Sequence, residues 1–188
     1  MDADQQLMAR VRDGDRGAFE ALYARFGSPV MRFLHRLCGD RALAEDLTQD
    51  VFLKVWRAAA GWRPVGKVST WLFQIAKHHW WNEAAKRRRR AAVQDTTLTA
   101  EVEARAEDAR LPSPTERIAR VESARAVEAA LARLSPKLRL VFVLVRLEGL
   151  GYAETAEIAG IPVGTVKSRA AAAEAALRKT LRRKDTSR

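Results

Sequence analysis

Two histidines stand side by side at His78 and His79, and five cations run without a break from Lys86 to Arg90. A second polar and basic cluster, Thr165, Lys167, Ser168 and Arg169, opens the last apolar-periodic segment. Paired histidines suggest a metal. On a helix, however, neighbours point about 100° apart, so this pair cannot chelate one ion from one face, and the only other histidine is His35. A single cysteine, Cys38, offers no thiolate cluster and no internal disulfide. No metal and no cofactor are expected. No nucleophile stands at a spacing that pairs it with a base, and no carboxylates cluster at metal spacing, so no catalysis is expected either. What remains is chemistry suited to a polyanion. Lysine and arginine read guanine edges, and serine and threonine reach bases or phosphates. A tryptophan among cations and amides stacks an unpaired base, worth about 1–3 kcal/mol per base. Trp81 sits in such company, sharing its helical arc with Gln74, Lys77, His78 and Arg88. Plain packing of Trp81 and a solvated basic tail fit the same residues.

The bulk properties agree with a polyanionic partner. The chain has 188 residues and a net charge of +11, with a pI near 10.6, which favours nucleic acid or an anionic membrane surface. No apolar run approaches the roughly 18–20 residues that span a bilayer. The opening residues are acidic and polar, unlike a secretory signal. A reducing cytoplasm is the expected setting. The charge is segmented: residues 1–90 carry +7, residues 91–115 carry −3, and residues 116–188 carry +7. The middle stretch holds Leu111-Pro112-Ser113-Pro114 and few large apolar residues, so it reads as a linker.

Around that linker the elements are helical. Apolar residues recur at three and four, and no segment alternates with period two. The fold class expected is all-α: two small helical domains joined by a flexible acidic linker, the C-terminal one a helix-turn-helix. The domains are placed at 1–92 and 116–184, with the linker at 93–115 and a tail at 185–188. Helices are expected over 3–13, 16–26, 28–38, 41–58, 70–90, 115–133, 136–147, 152–159 and 163–182. Gly27-Ser28-Pro29 marks a break or only a kink.

Two of these helices have unusual outer faces. Over 41–58, capped by Asp40, the residues Leu43, Leu47, Val51 and Val55 form the core stripe. The opposite side carries Glu45, Asp46, Gln49 and Asp50, together with Leu53 and Trp56. An acidic face studded with apolar residues suits a basic protein surface better than DNA; a solvated face with Trp56 packed under a neighbour is the other reading. Over 70–90, with Ser69 as cap, Leu72, Phe73, Ile75, Ala76 and Trp80 span a wide apolar arc. Cys38 is read as a small core residue.

The C-terminal block reads as a helix-turn-helix. Ser135-Pro136 starts a helix whose buried stripe is Leu138, Val141, Phe142 and Val145. Tyr152 to Ala159 is short, Gly160-Ile161-Pro162 turns the chain, and Val163 opens a longer helix with Val166, Ala170, Ala173, Leu177 and Leu181 inward. In such a motif the second helix enters the major groove N-terminus first. That places Thr165, Lys167, Ser168 and Arg169 at base edges, with Arg178 continuing the basic surface toward the backbone.

Taken together, these motifs resemble the extracytoplasmic-function (group IV) sigma factors of bacterial RNA polymerase. Ala44 through Trp56 looks like their polymerase-binding helix, Ser69 through the arginine run like their −10 recognition helix, and Tyr152 through Arg169 like their −35-binding helix-turn-helix. The resemblance implies that Asp46, Gln49, Asp50, Leu53 and Trp56 grip core polymerase. It implies that Lys77, His78, Trp81, Asn82, Arg87 and Arg88 hold the unpaired −10 non-template strand, with a flipped base read near loop 59–69. Thr165, Lys167, Ser168, Arg169 and Arg178 would then bind duplex −35 DNA. An anti-sigma factor is a further partner the resemblance implies, and membrane insertion is not. Four departures stand out. His78 replaces the usual Asn, and Asn82 the usual Asp. Ala170 to Ala173 replace bulky and basic residues, while Thr155 and Ala159 replace larger apolar ones. The alternative from the residues alone is a stand-alone helix-turn-helix regulator, which would bind duplex DNA unaided and has no need of the acidic face at 45–56.

Overall fold

The computed structural model describes residues 2–93 and 126–185. Eight helices carry the described chain: α1 (Ala3–Arg12), α2 (Arg16–Cys38), α3 (Arg41–Ala58), α4 (Val68–Val93), α5 (126–132), α6 (Pro136–Phe142), α7 (Tyr152–Ala159) and α8 (Val163–Asp185). A short 3-10 turn, Ala59–Gly61, follows α3, and α6 runs on as a π-helical stretch, Val143–Leu147. No strand occurs among the described residues. The expected linker, from residue 94 onward, lies outside them, as does the tail beyond Asp185.

Local chemistry explains the boundaries. Asp2 and Gln5 close a reciprocal capping box at the start of α1, at 2.8 and 3.1 Å. Asp15 and Asp40 cap α2 and α3 by accepting from the Ala18 and Leu43 amides. Gly39 ends α2 with a left-handed φ of 71° and returns its amide to the His35 carbonyl at 2.8 Å. The expected break at Gly27-Ser28-Pro29 does not occur: α2 runs through Pro29 as one helix. Pro29 removes one hydrogen bond, but Leu22, Val30, Phe33, Leu34 and Leu37 fall on one buried stripe that holds both halves against the same core. Ser69 is likewise not a cap, because α4 begins a residue earlier at Val68, itself buried.

The first core is a bundle of α1 to α4. Met8 and Val11, the α2 stripe, Leu47, Val51 and Val55 from α3, and Leu72, Ala76 and Trp80 from α4 form one apolar cluster. Phe33 meets Phe73 edge-on at 4.9 Å. Trp62 and the Gln5 side chain, which donates to the Gly66 carbonyl at 2.9 Å, fix the loop before α4. In the second bundle, Val141, Ala156, Val166 and Ala170 form the heart of the helix-turn-helix. Gly160 supplies the left-handed turn at φ 69°. A second cluster joins α5 to α8 through Ala130, Leu131, Leu134, Ala173 and Leu177.

The two bundles pack against each other. Leu140, Val143, Leu144 and Ile158 belong to the same apolar cluster as the first core. Arg139 donates to the Leu37 carbonyl at 2.7 Å, at the negative end of α2, and to the Ala132 carbonyl at 2.6 Å. Burial pulls its guanidinium below the ordinary value. Arg36 pairs with Glu148 at 2.7 Å.

Thr155 is fully buried in the helix-turn-helix, and its hydroxyl has no hydrogen-bond partner among the described residues. A buried unpaired hydroxyl costs roughly 1–3 kcal/mol. Thr155→Val keeps the shape without that group. The variant should be more stable by about 1 kcal/mol, read as a higher denaturant midpoint with unchanged slope.

Candidate functional site

Helix α3 presents Asp46, Gln49, Asp50 and Leu53 to solvent, with Leu53 52% exposed. Asp46 makes no ion pair or hydrogen bond among the described residues. Asp50 is held from behind. The Lys54 ammonium lies 2.7 Å from His79 Nδ1, and His79 Nε2 lies 3.0 Å from Asp50 Oδ2. An ammonium only donates, so Nδ1 accepts and Nε2 carries the proton to Asp50. His79 therefore acts as a brace between α3 and α4, and its neighbour His78 points elsewhere, exposed. No group of three metal-ligating side chains forms among the described residues. Trp56 is half-buried and meets Phe19 edge-on at 5.0 Å, so its apolar body packs while one edge remains at the surface. The outer face of α3 thus sets exposed acidic residues beside two apolar side chains, Trp56 packed on Phe19 and Leu53 standing free.

Along α4, Trp80 is buried and Trp81 half-buried, the two rings meeting edge-on at 5.5 Å. Trp81, Lys77 and His78 line a cavity of about 400 Å³ with Lys137, Leu140, Ala159, Ile161 and Arg169. The structure thus brings expected residues from both domains, Lys77, His78, Trp81 and Arg169, into one place. Lys77, Lys137 and Arg169 have no ion-pair partner among the described residues, and burial holds the Lys77 ammonium below its ordinary value. Asn82 is exposed. Arg87 reaches Glu83 at 3.7 Å and Asp40 at 3.8 Å. Arg88 lies on α4, its side chain outside the described residues.

At the start of α8, Lys167 and Ser168 are exposed and Thr165 and Arg169 half-buried. Ser168 donates to the Thr165 carbonyl at 3.1 Å. The Lys167 ammonium lies 5.9 Å from the centre of the Tyr152 ring, a cation–π contact that bridges the two helices of the motif. Arg178 is splayed outward and pairs loosely with Glu174 at 3.5 Å. Glu174 also holds Arg146 at 2.6 Å, which raises the Arg146 pKa further.

Residues 22–90 match Sigma-70 region 2, and residues 124–177 match Sigma-70, region 4. The RNA polymerase sigma-H factor of Pseudomonas aeruginosa is 32% identical over 182 residues, covering 95% of this chain and 93% of the relative. The ECF RNA polymerase sigma factor SigM of Mycobacterium tuberculosis is 35% identical over 179 residues, covering 95% and 85%. The chain belongs to the extracytoplasmic-function sigma factors of bacterial RNA polymerase. Among solved structures, CnrH in complex with the cytosolic domain of CnrY matches at TM-score 0.70 and 26% identity, covering 96% of this sigma factor and 97% of that chain. The sigma factor RpoE in complex with the anti-sigma factor NepR from Bartonella quintana shares the fold at TM-score 0.72 and 24% identity, covering 87% and 96%. As a sigma factor the protein serves promoter recognition by RNA polymerase, and the stand-alone regulator is not favoured. Region 2 of the sigma factor takes in most of α2 and all of α3, together with α4 through Arg90. Region 4 takes in α5 to α8, ending within α8.

Sequence reasoning missed the polar groups at the contact between the domains: Arg36, Lys67, Thr70, Glu148, Glu154 and Arg139. Isolated charges on surface helices give no periodic signal. Val65 was missed too: it stands 83% exposed at the tip of the loop before α4.

Cys38 lines a cleft of about 270 Å³ with Leu43, Trp80 and Arg139, and its thiol donates to the Asp40 carbonyl at 3.1 Å. Burial raises its pKa above the ordinary 9.0. Alkylation of the folded protein should be slow at neutral pH, and its rate should still be rising above pH 9.0. The denatured chain should react faster and level off earlier, as read by mass spectrometry over time.

Proposed function

We propose that the sigma factor docks on core polymerase through the outer face of α3, with Asp46, Gln49 and Asp50 meeting basic residues and Leu53 and Trp56 as apolar anchors. The observation that carries this reading is the pairing of an unpartnered Asp46 with the exposed Leu53 on one helix face. A protein interface uses such a mixture and DNA does not. Along α4, Lys77, His78, Trp81, Asn82, Arg87 and Arg88 would hold the unpaired −10 strand, the rings stacking bases and the cations meeting phosphates. Thr165, Lys167, Ser168, Arg169 and Arg178 on α8 would contact the −35 duplex. Residues 1–92 and 116–184 would be the two working domains, joined by the acidic segment 93–115, which resembles nucleic acid in charge. The protein would act by binding and catalyse no reaction, and it would work in the cytoplasm, where polymerase and promoters are. An anti-sigma factor would be a further partner, as NepR is of the similarly folded RpoE.

Co-purification with bacterial core polymerase tests the first claim. Asp46→Arg combined with Asp50→Arg should abolish assembly while leaving the helical circular dichroism spectrum intact. Normal assembly of that folded variant would sink the assignment of the α3 face.

Trp81→Ala tests the second. Loss of one base stack, about 1–3 kcal/mol, should weaken promoter melting by holoenzyme roughly tenfold or more, yet leave −35 duplex binding within about twofold. Equal losses in both assays would mean that Trp81 only supports the fold.

A further inference from the structure

The start of α4 is occupied in this structure by a group from the other domain. The Glu154 carboxylate on α7 accepts from the Thr70 hydroxyl at 2.8 Å and from the Lys67 ammonium at 3.0 Å. One turn on, Gln74 donates to the Glu157 carboxylate at 3.4 Å. Glu154 is 16% exposed at its side chain, so it is drawn into the contact rather than laid on the surface. An ammonium and a hydroxyl converging on one anionic oxygen pair are the contacts that proteins make to a DNA phosphate. The seat lies where the loop Trp62–Lys67, pinned by Gln5 and the buried Trp62, delivers the chain into a 26-residue helix. Further along the same side of α4, the cavity lined by Lys77, Trp81, Lys137 and Arg169 continues the cationic and aromatic track.

We propose that Lys67 and Thr70 form a phosphate seat for the unpaired −10 strand, and that Glu154 fills this seat when the two domains close on each other. Closure and strand binding then exclude one another. This rests on the reading of α4 as the strand-holding helix and extends it by two residues and a competitor. In the closed chain, Glu154 satisfies the seat and α7 covers Gln74. In the open chain, Lys67 and Thr70 are freed for the strand, and Arg169 of α8, half-buried beside Lys77 and Trp81, is freed for the duplex.

Binding of a short fluorescein-labelled single-stranded DNA to the full chain, read by anisotropy at low salt, tests the competitor. Glu154→Gln should bind about fivefold tighter than the parent, because a neutral amide leaves Lys67 uncompensated. Adding Lys67→Gln should return affinity to the parent level. Adding Arg12→Gln, which removes an exposed cation of α1, should keep the gain. An affinity unchanged by Glu154→Gln, or a gain that survives Lys67→Gln, overturns the proposal. Promoter melting by holoenzyme tests the seat itself. Thr70→Val with Lys67→Gln should weaken melting several-fold, and parent-level melting overturns the seat. If Trp81→Ala also melts promoters like the parent, the strand-holding reading of α4 falls, and the proposal with it. If Trp81→Ala is impaired while the seat variant is not, only the proposal falls.

Discussion

A helix whose apolar arc is too wide for one neighbour must be covered from more than one side, and α4 is such a helix. Leu72, Ala76 and Trp80 face the first core with almost no exposure, and Val68 and Phe73 join them. Trp71, Ile75 and Trp81 widen that arc and are partly buried in the same cluster. No single neighbouring helix covers such a surface. Helices α2 and α3 take one side, and Leu140 and Ile158 of the second domain help to take the other. Much else follows from that need. The α2 stripe has to run unbroken through Pro29 to supply a full wall. The loop before α4 has to be tied down so that the helix starts at a fixed register. The second domain has to sit with α7 across α4, because that is where apolar surface remains.

Electrostatics sets the terms of this arrangement. Both domains are basic, and two like-charged bodies repel. The contact is made where the second domain is locally acidic: Glu128 near His35, Glu148 on Arg36, Glu154 on Lys67 and Thr70, and Glu157 on Gln74. Several of these pairs are partly open to solvent, so each is individually weak and screened by salt. Shared apolar burial supplies the attraction, and the acids mainly remove the repulsion that would otherwise oppose it. Closure is thus an equilibrium poised by charge, and a polyanion or an acidic protein competes for the same cations.

How much of this was legible in the sequence depends on whether the signal is periodic. The four-residue spacing of Leu43, Leu47, Val51 and Val55 located α3 to the residue and the middle of its buried side, which also takes in Ala44, Thr48 and Phe52 while Leu43 is half-buried, and Asp40 fixed its start. Glycine in the turn and the stripe from Val166 to Leu177 located the helix-turn-helix. The expected break at Ser28-Pro29 failed because a proline costs a helix one bond and one clash, while five buried side chains on a common face outweigh both. Ser69 failed as a cap because Val68 gains more by lying inside the first turn and the core than a serine gains by capping. The acidic face of α3 could be read because its residues are charged where a core helix has no reason to be charged. The brace His79 could not be read, since its role depends on the distance between α3 and α4. Glu154 was invisible for the same reason: its partners lie more than eighty positions away in the chain.

The residues of α4 proposed to hold a strand also meet the second domain. An aromatic ring stacks a base or an aliphatic neighbour, and a lysine meets a phosphate or a glutamate. Such a helix is never idle; it is covered by one partner or by another. A protein that reads DNA only after assembly gains from this, because Lys77 and Arg169, half-buried at the domain contact, are less open to bulk duplex beforehand. The free energy to open it must then come from whatever binds the open form better than the closed one. For a sigma factor that partner is core polymerase, and the α3 face proposed to meet it is exposed in the closed chain. A ligand with equal affinity for both states would shift nothing. So docking at α3 can start the process, but only contacts that engage the two domains apart can complete it. On the proposed reading the labour divides within one small chain: α3 would recruit, and α4 and α8 would be released by being pulled to separate sites.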